Sequence, residues 1–281
     1  MYSKPSGPRS IGGVLEDGFL LGRAGFSKTW PLALAAQIVV SLPVVFFKAQ
    51  FGAADLGALQ TNMMALQTPA HSLLFLACAL GSAGFQNAIT AQTDSVAQGG
   101  ARTMGESLSI GFRLLPRTVL LGLLLAAGFS LIAICFVIPG FFVGQAGRAL
   151  LIALFFVPLF FYLGRVFLGN VIFVVENIGA YASLLRSWHL TKNHYWRSAA
   201  IVAVLSMIFI VLLLTIGFLS GLAAAVLGAR SAVSLAVVQL LSAAGNTVFT
   251  PFISAVLLSI YYDLKLRNGL RSVQLSELHV H

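Results

Sequence analysis

Arg165 is the one charged residue within an apolar run long enough to cross a membrane, the run from Ala149 to Val175. An arginine in the middle of a membrane helix costs about 2.5 to 3.5 kcal/mol on insertion scales, so it needs a partner inside the protein. The candidate partners are two acids and two amides: Asp94, Glu176, Gln86 and Asn87. Two interpretations stay open, an anionic site for a lipid headgroup or phosphate-bearing substrate, and a satisfied structural pair.

Three of the eight acids, Asp94, Glu176 and Asp263, each follow the end of an even-numbered apolar run. A glycine and an arginine follow both Asp94 and Asp263 at offsets of six and eight residues. We predict that this acid set pairs with arginines of neighbouring helices on the cytoplasmic side. A role in the passage of an ion or substrate is the alternative.

Polar side chains recur at helical spacing in the same even-numbered runs. The second run carries Ser82, Gln86, Thr90 and Thr93, the sixth carries Gln239, Ser242, Asn246, Thr250 and Ser254, and the fourth carries Tyr162, Arg165, Gly169 and Asn170. Polar side chains in hydrocarbon must find partners, so these faces should point into a helix bundle or a hydrated cavity. The odd-numbered runs are almost purely apolar and should face lipid.

Catalytic and metal-binding motifs are missing from the sequence. It contains neither a phosphate-binding Gly-Lys-Ser/Thr loop nor a His-Glu-x-x-His motif, and no acidic pair has metal-ligand spacing. Cys78 and Cys135 lie in apolar runs, where an unpaired cysteine is usually a small buried hydrophobe. We therefore expect a protein that is not an enzyme, with no metal and no cofactor.

The composition excludes a soluble globular enzyme. Of 281 residues, 58% are hydrophobic and 9% are charged, with a mean hydropathy of +0.94, whereas soluble domains carry roughly 25% charged residues. The fold class that remains is an all-α polytopic integral membrane protein. Its basic excess is explained by orientation and by anionic membrane lipids, so no nucleic-acid partner is expected.

Six transmembrane helices are predicted, because about 20 apolar residues cross the hydrocarbon. They span Trp30 to Phe47, His71 to Thr93, Thr118 to Ile138, Ala149 to Val175, Ser198 to Gly221 and Ser234 to Tyr262. The first follows a 29-residue polar and amphipathic lead, which is unlike a cleavable secretory signal. The last contains Pro251, where a kink is expected.

Lys and Arg concentrate on one predicted side of the membrane. The amino-terminal lead, the second and fourth connections and the carboxyl-terminal tail hold 13 of the 17 basic residues. Cytoplasmic loops retain Lys and Arg. Both termini are therefore predicted to be cytoplasmic.

A pattern of Leu-x-x-small-aromatic-x-Leu precedes each odd-numbered span. It covers Leu15 to Leu21, Leu108 to Leu114 and Leu184 to Leu190. The spacing predicts three cytoplasmic interfacial amphipathic helices. It also predicts one membrane domain over residues 1–281, with a pseudo-threefold repeat (interfacial helix, span, span) in units of about 10–98, 99–176 and 177–267 and a tail at 268–281. Chance is the alternative, since Leu, Gly and aromatic residues are abundant.

Two segments resemble a known family. Residues 183–192, continuing to Tyr195, Trp196 and Arg197, and residues 261–267 are similar to signature segments of the bacterial glycerophosphoryl diester phosphodiesterase membrane-domain family. Its relatives include uncharacterised six-span inner-membrane proteins, and the pattern departs at Asn193 and Asn268. The phosphodiesterase that names the family is a separate soluble domain, for which 281 residues with six spans leave no room. The resemblance therefore implies a membrane module without catalytic residues.

The preferred functional interpretation is a non-enzymatic inner-membrane protein that binds, transports or senses a small or lipid-derived anionic substrate. The candidate site residues are Arg165, Tyr162, Asn170, Gln86, Asn87, Asn246 and Gln239. The competing interpretation is a membrane scaffold or regulatory subunit that anchors a partner enzyme or transporter at the cytoplasmic face. A third is an intramembrane enzyme that uses the acid set. Membrane lipids are the expected partners, and a homo-oligomer is left open.

Overall fold

A computed structural model describes residues 5, 7–51, 69–228 and 232–278. Helix is the regular structure throughout these ranges, which confirms the all-α prediction. The helices are α1 (Ile11–Phe51), α2 (Pro69–Ala97), α3 (Met104–Arg113), α4 (Leu115–Gly140), α5 (Gln145–Val166), α6 (Gly169–Val175), α7 (Ala180–Thr191), α8 (Tyr195–Leu227) and α9 (Ala232–Leu278).

Five helical stretches of the described chain have the length and composition to cross a membrane. They are α2, α4, the α5–α6 stretch Gln145–Val175, α8 and residues Ala236–Gly269 of α9. These stretches correspond to the predicted second to sixth spans and support a membrane-embedded protein. The predicted first span, Trp30 to Phe47, lies within α1 but falls partly on side chains outside the described set, so the six-span count stays a prediction.

Two of the three predicted interfacial helices are separate short helices, α3 and α7. A capping box starts α3, in which the Glu106 amide donates to Thr103 Oγ1 at 3.3 Å and the Thr103 amide donates to Glu106 Oε2 at 2.9 Å. The first pattern, by contrast, lies within α1, which continues without a break from Ile11 to Phe51. The threefold repeat is therefore not confirmed.

The described chain divides into two compact units. One comprises the described parts of Phe19–Leu115 and Ala203–Ala255, and the other those of Ser3–Gly18, Pro116–Val202 and Val256–His281. In the first unit α3 packs closely on α2, and a buried cluster joins α1 to α2 through Leu32, Ala33, Ala88 and Ile89. In the second unit α7 packs on both α5 and α6.

Burial separates the spans largely as their composition predicts. Each span was compared over its most apolar 18 residues. Of these residues, 44% are buried in α9 and 33% in α2, whereas 6% are buried in α4 and 11% in α8. The fourth span, α5–α6, departs from the predicted alternation, since only 11% of its apolar stretch is buried. Its buried residues instead cluster at the α5–α6 junction.

Candidate functional site

Arg165 lies in the last turn of α5, just before the short break that separates α5 from α6. Arg165 is 20 positions after Gln145, the first residue of α5, which is a rise of about 30 Å and the full thickness of the hydrocarbon. Arg165 is therefore at the end of a membrane-length helix. The sequence predicts a position nearer the middle of a span, because the α5–α6 junction carries no proline to mark the break.

The backbone of Arg165 anchors α7 to the end of α5. Its carbonyl oxygen accepts hydrogen bonds from Ser187 Oγ at 2.7 Å and from Thr191 Oγ1 at 3.5 Å. Both donors are fully buried residues of α7. The two hydroxyls thus donate hydrogen bonds to the Arg165 carbonyl oxygen next to the α5–α6 break, where the regular backbone hydrogen bonds of the helix are interrupted.

The guanidinium group of Arg165 is enclosed by three aromatic rings, which we call the aromatic cage. Its central carbon lies 4.9 Å from the ring centroid of Phe161, 5.3 Å from that of Tyr195 and 5.4 Å from that of Trp188. These distances are within the roughly 6 Å over which a cation is attracted to an aromatic face. Arg165 is only 9% exposed, so the rings replace much of its hydration.

Two donors of Arg165, at Nε and Nη1, are buried without a hydrogen-bond partner in the described chain. The aromatic rings cover the guanidinium group, but they do not accept conventional hydrogen bonds from the N–H groups at its edge. Leaving a buried donor unpaired costs about 1 to 3 kcal/mol, and more when the group is charged. Glu176, one of the four candidate partners, pairs with Arg186 and Lys265, and no ion pair joins it to Arg165 in the described chain.

A cavity of about 300 Å³ lies beside Arg165 where α7 turns into α8. Its lining comprises Arg165, Lys192, Asn193, His194, Tyr195, Trp196 and Arg197. Three of these side chains are permanent cations and none is a carboxylate. The cavity, which we call the basic cavity, therefore has the charge and the donors to bind an anion.

Glu176 is held by residues from two other helices. Tyr261 Oη donates to its carboxylate at 2.8 Å, and Lys265 Nζ and Arg186 Nε lie 3.5 Å and 3.6 Å from it. Arg186 belongs to α7, the third predicted interfacial helix. The contact is therefore of the kind that the sequence predicts for the acid set.

Asp263 is 5% exposed and is surrounded by donors. It accepts from Arg267 Nε at 2.9 Å, from Arg197 Nε at 3.3 Å and from the Arg9 amide at 2.9 Å. The Arg9 carbonyl in turn accepts hydrogen bonds from both of those arginines. Asp263 thus offsets the charge of Arg197 on one side of the basic cavity. In the other unit, Asp94 accepts from Gln98 Nε2 at 2.8 Å.

The predicted polar stripes of the second and sixth spans meet in the first compact unit. Gln86 Nε2 donates to Ser254 Oγ at 3.2 Å, and Asn87 Nδ2 donates to the Gly111 carbonyl at 3.4 Å. Gln86 also lines a cavity of about 300 Å³. The other residues that line it are Ala33, Ala36, Gln37, Val40, Ser82, Ala83 and Thr250. Asn246 and Gln239 are half-buried on α9 and do not line this cavity.

The other predicted site residues of the fourth span lie outside the basic cavity. Tyr162 Oη donates to the Leu125 carbonyl at 3.3 Å and so joins α5 to α4. Asn170 is half-buried in the first turn of α6. In this unit the aromatic cage, rather than Tyr162 or Asn170, surrounds the Arg165 guanidinium group.

Most of the side chains that surround Arg165 in the structure were not predicted from the sequence. One signal was present, because Phe161 is four residues before Arg165 and such pairs meet on a helix. Three other residues are brought to the site by the packing of α7 and the start of α8 on α5: Lys192, Trp188 and Tyr195. No local sequence pattern predicts this tertiary contact.

Comparison of the chain with protein-family models, curated proteins and solved structures gives no match.

Proposed function

We propose that this chain is a multi-pass membrane protein that binds an anionic, phosphate-bearing ligand in the basic cavity. The observation that carries the proposal is the pair of buried, unpartnered donors on Arg165, Nε and Nη1. A guanidinium edge matches two oxygens of a phosphate group, and such charge-assisted bonds are stronger than neutral ones. A phosphate oxygen that reaches these donors would remove the cost of leaving them unpaired.

The electrostatic setting supports a ligand with more than one negative charge. Lys192 and Arg197 line the same cavity as Arg165, and only Arg197 has a carboxylate partner among the described residues, Asp263. Phosphate carries about 1.5 to 2 negative charges near neutral pH. Low polarity around the aromatic cage strengthens the attraction beyond its value in water.

The ligand class is a phospholipid headgroup or a soluble phosphate ester, which share the group that Arg165 would bind. Both ends of the chain are proposed to be cytoplasmic, because 13 of the 17 basic residues lie on that predicted side. The ligand would then reach the cavity from the inner leaflet or the cytoplasm of a bacterial cell. A non-enzymatic role and membership of the glycerophosphoryl diester phosphodiesterase membrane-domain family are further parts of the proposal.

Trp188 provides a direct probe of ligand binding because its ring lies 5.4 Å from the Arg165 guanidinium carbon. The protein is placed in phosphatidylcholine nanodiscs and titrated with inorganic phosphate or with dihexanoyl phosphatidic acid, while tryptophan fluorescence is recorded. We expect saturable binding of at least one of them, and about 10- to 100-fold weaker binding by Arg165→Met. Saturation by phosphate indicates a soluble ester, and saturation by the lipid alone indicates a headgroup.

Arg186→Met is the matched control. Arg186 is another arginine of the same unit and pairs with Glu176 on the exposed side of α7. Its loss should leave the dissociation constant within about twofold of the wild-type value. Equal loss of binding in both variants, or unchanged binding in a folded Arg165→Met protein, would contradict the proposal.

The alternative proposal is a scaffold that holds a partner protein through α7. The exposed face of this helix carries Tyr181, which is 69% exposed, and Leu185, which is 46% exposed. A photo-crosslinking residue at Leu185 should then capture one defined protein in cells, while the same residue at Leu131 of α4 should not. That result together with no phosphate or lipid binding would favour the scaffold.

A further inference from the structure

A third cavity lies at the other end of α5, between α4 and α5. Its volume is about 500 Å³, within the roughly 300 to 1,000 Å³ typical of small-molecule sites. The lining residues are Ala133, Phe136, Val137, Gly140, Phe141, Arg148, Leu151, Ile152 and Phe155. All of them are apolar except Arg148. We call it the hairpin cavity.

Aromatic side chains form the rigid wall of the hairpin cavity. The Phe155 ring meets Phe136 edge to face, with ring centroids 5.8 Å apart. Phe141 and Ile152 stand at the opening and are 75% and 62% exposed. Since both helices are apolar and of membrane length, we expect this opening to meet hydrocarbon chains close to the membrane surface.

Arg148 supplies the single charge of the hairpin cavity. Its Nε donates to the Gly140 carbonyl at 3.0 Å, which holds the guanidinium group at the end of α4. The sequence has no acid between Glu106 and Glu176, and Arg148 forms no ion pair within the described chain. Arg148 is an exposed residue, so its guanidinium group is open to an anion.

We propose that the hairpin cavity binds an anionic phospholipid of the bilayer, with one acyl chain against Phe136 and Phe155 and the headgroup phosphate on Arg148. An apolar chain-sized cavity with one cation at the membrane surface matches an amphiphile that carries a single negative charge. Arg148 and Arg165 are 17 residues apart, or about 26 Å along α5. The lipid therefore belongs to the leaflet opposite the basic cavity, and this proposal is independent of the proposed function.

Photoreactive lipids test the occupant of the hairpin cavity. Phosphatidylglycerol and phosphatidylcholine, each with a diazirine on one acyl chain, are reconstituted separately with the Arg165→Met protein, so that the basic cavity does not contribute. After irradiation, labelled peptides are mapped by mass spectrometry. We expect phosphatidylglycerol to label residues 133–155 at least about fivefold more than phosphatidylcholine, since one charge-assisted contact contributes about 1 kcal/mol or more.

Two pairs of variants distinguish binding of the acyl chain from binding of the lipid headgroup. Ala133→Phe fills the cavity and should remove the labelling, whereas Ala127→Phe adds the same ring at an exposed position of α4 outside it. Arg148→Gln should abolish the preference for phosphatidylglycerol, and Arg148→Lys should retain most of it. Equal labelling by both lipids, or labelling that Ala133→Phe leaves unchanged in a folded protein, would overturn the proposal.

Discussion

Three aromatic faces replace water around Arg165 at the end of α5, and two of its donors, Nε and Nη1, are buried without a partner in the described chain. The sequence could predict that Arg165 is unusual, since an arginine in an apolar run is costly. It could not predict the aromatic cage. Tyr195 and Trp188 follow Arg165 by 30 and 23 residues, and only tertiary packing brings them to it.

Asp17 allows a prediction on pH dependence at the scale of one residue. Burial raises the pKa of Asp17 above 3.8, and the nearby Arg9 guanidinium lowers it only in part. The folded protein then binds more protons than the unfolded chain between 3.8 and the raised value, so its free energy of unfolding falls as the pH rises through that interval. The loss is complete once the pH is well above the raised pKa.

Asp17→Asn removes this ionisation. We expect the variant to unfold at the same temperature as the wild type or a higher one near neutral pH, and the difference to decrease as the pH approaches about 4. Thermal unfolding in detergent, recorded by circular dichroism, measures both. Glu16→Gln, at the exposed neighbouring position, is the control and should change the midpoint less. A stability advantage of the variant that grows at acidic pH would contradict a raised pKa of Asp17 in the folded protein.

At the scale of elements, the contact between α2 and α3 depends on a glycine. A Cβ atom at Gly111 would overlap the Gly84 carbonyl oxygen and lie 2.8 Å from the Ala88 nitrogen. Gly111→Ala should therefore lower the free energy of unfolding by about 1 to 3 kcal/mol, the usual cost of overpacking.

Gly105 is the matched control in the same helix, because a Cβ atom there meets nothing within 4 Å. Gly105→Ala should be neutral or stabilising by up to about 1 kcal/mol. Urea or thermal unfolding in detergent compares the two variants. Equal stability of both would show that α3 does not pack on α2 through Gly111.

Most helices could be predicted from the sequence, because the lengths of apolar runs are set by the chemistry of the side chains. The separate helices α3 and α7 followed from amphipathic spacing, and α3 also has its own capping box. The α5–α6 break and the continuity of α1 could not be predicted. The break accompanies the hydrogen bonds from α7 to the Arg165 carbonyl, and no proline separates Leu21 from Trp30 to interrupt α1.

At the scale of the whole molecule, the distribution of basic residues predicts which connections share a side of the membrane. Gly144 and Gly179 form a matched pair. Each glycine immediately precedes a helix and has a φ angle near −67°, and a Cβ atom at either position meets nothing within 4 Å. The span between them should place them on opposite sides, with Gly179 in the cytoplasm.

Gly144→Cys and Gly179→Cys, each in a protein with Cys78 and Cys135 replaced by alanine, test this orientation. A membrane-impermeant maleimide should label the Gly179→Cys protein in inverted vesicles and the Gly144→Cys protein in right-side-out vesicles. Detergent-solubilised samples control for reactivity. Labelling of both proteins from the same side would contradict a crossing by Gln145–Val175, and the reverse pattern would contradict the orientation.

We propose above that Arg165 binds a phosphate group in the basic cavity. The most direct measurement is an electron cryomicroscopy structure in nanodiscs that contain anionic phospholipid, at a resolution that shows headgroups. We expect phosphate density within about 3 Å of Arg165 Nε and Nη1, with Lys192 directed towards it. A protein carbonyl or carboxylate paired with both nitrogens, or a dry and closed cavity in the presence of lipid, would contradict the account.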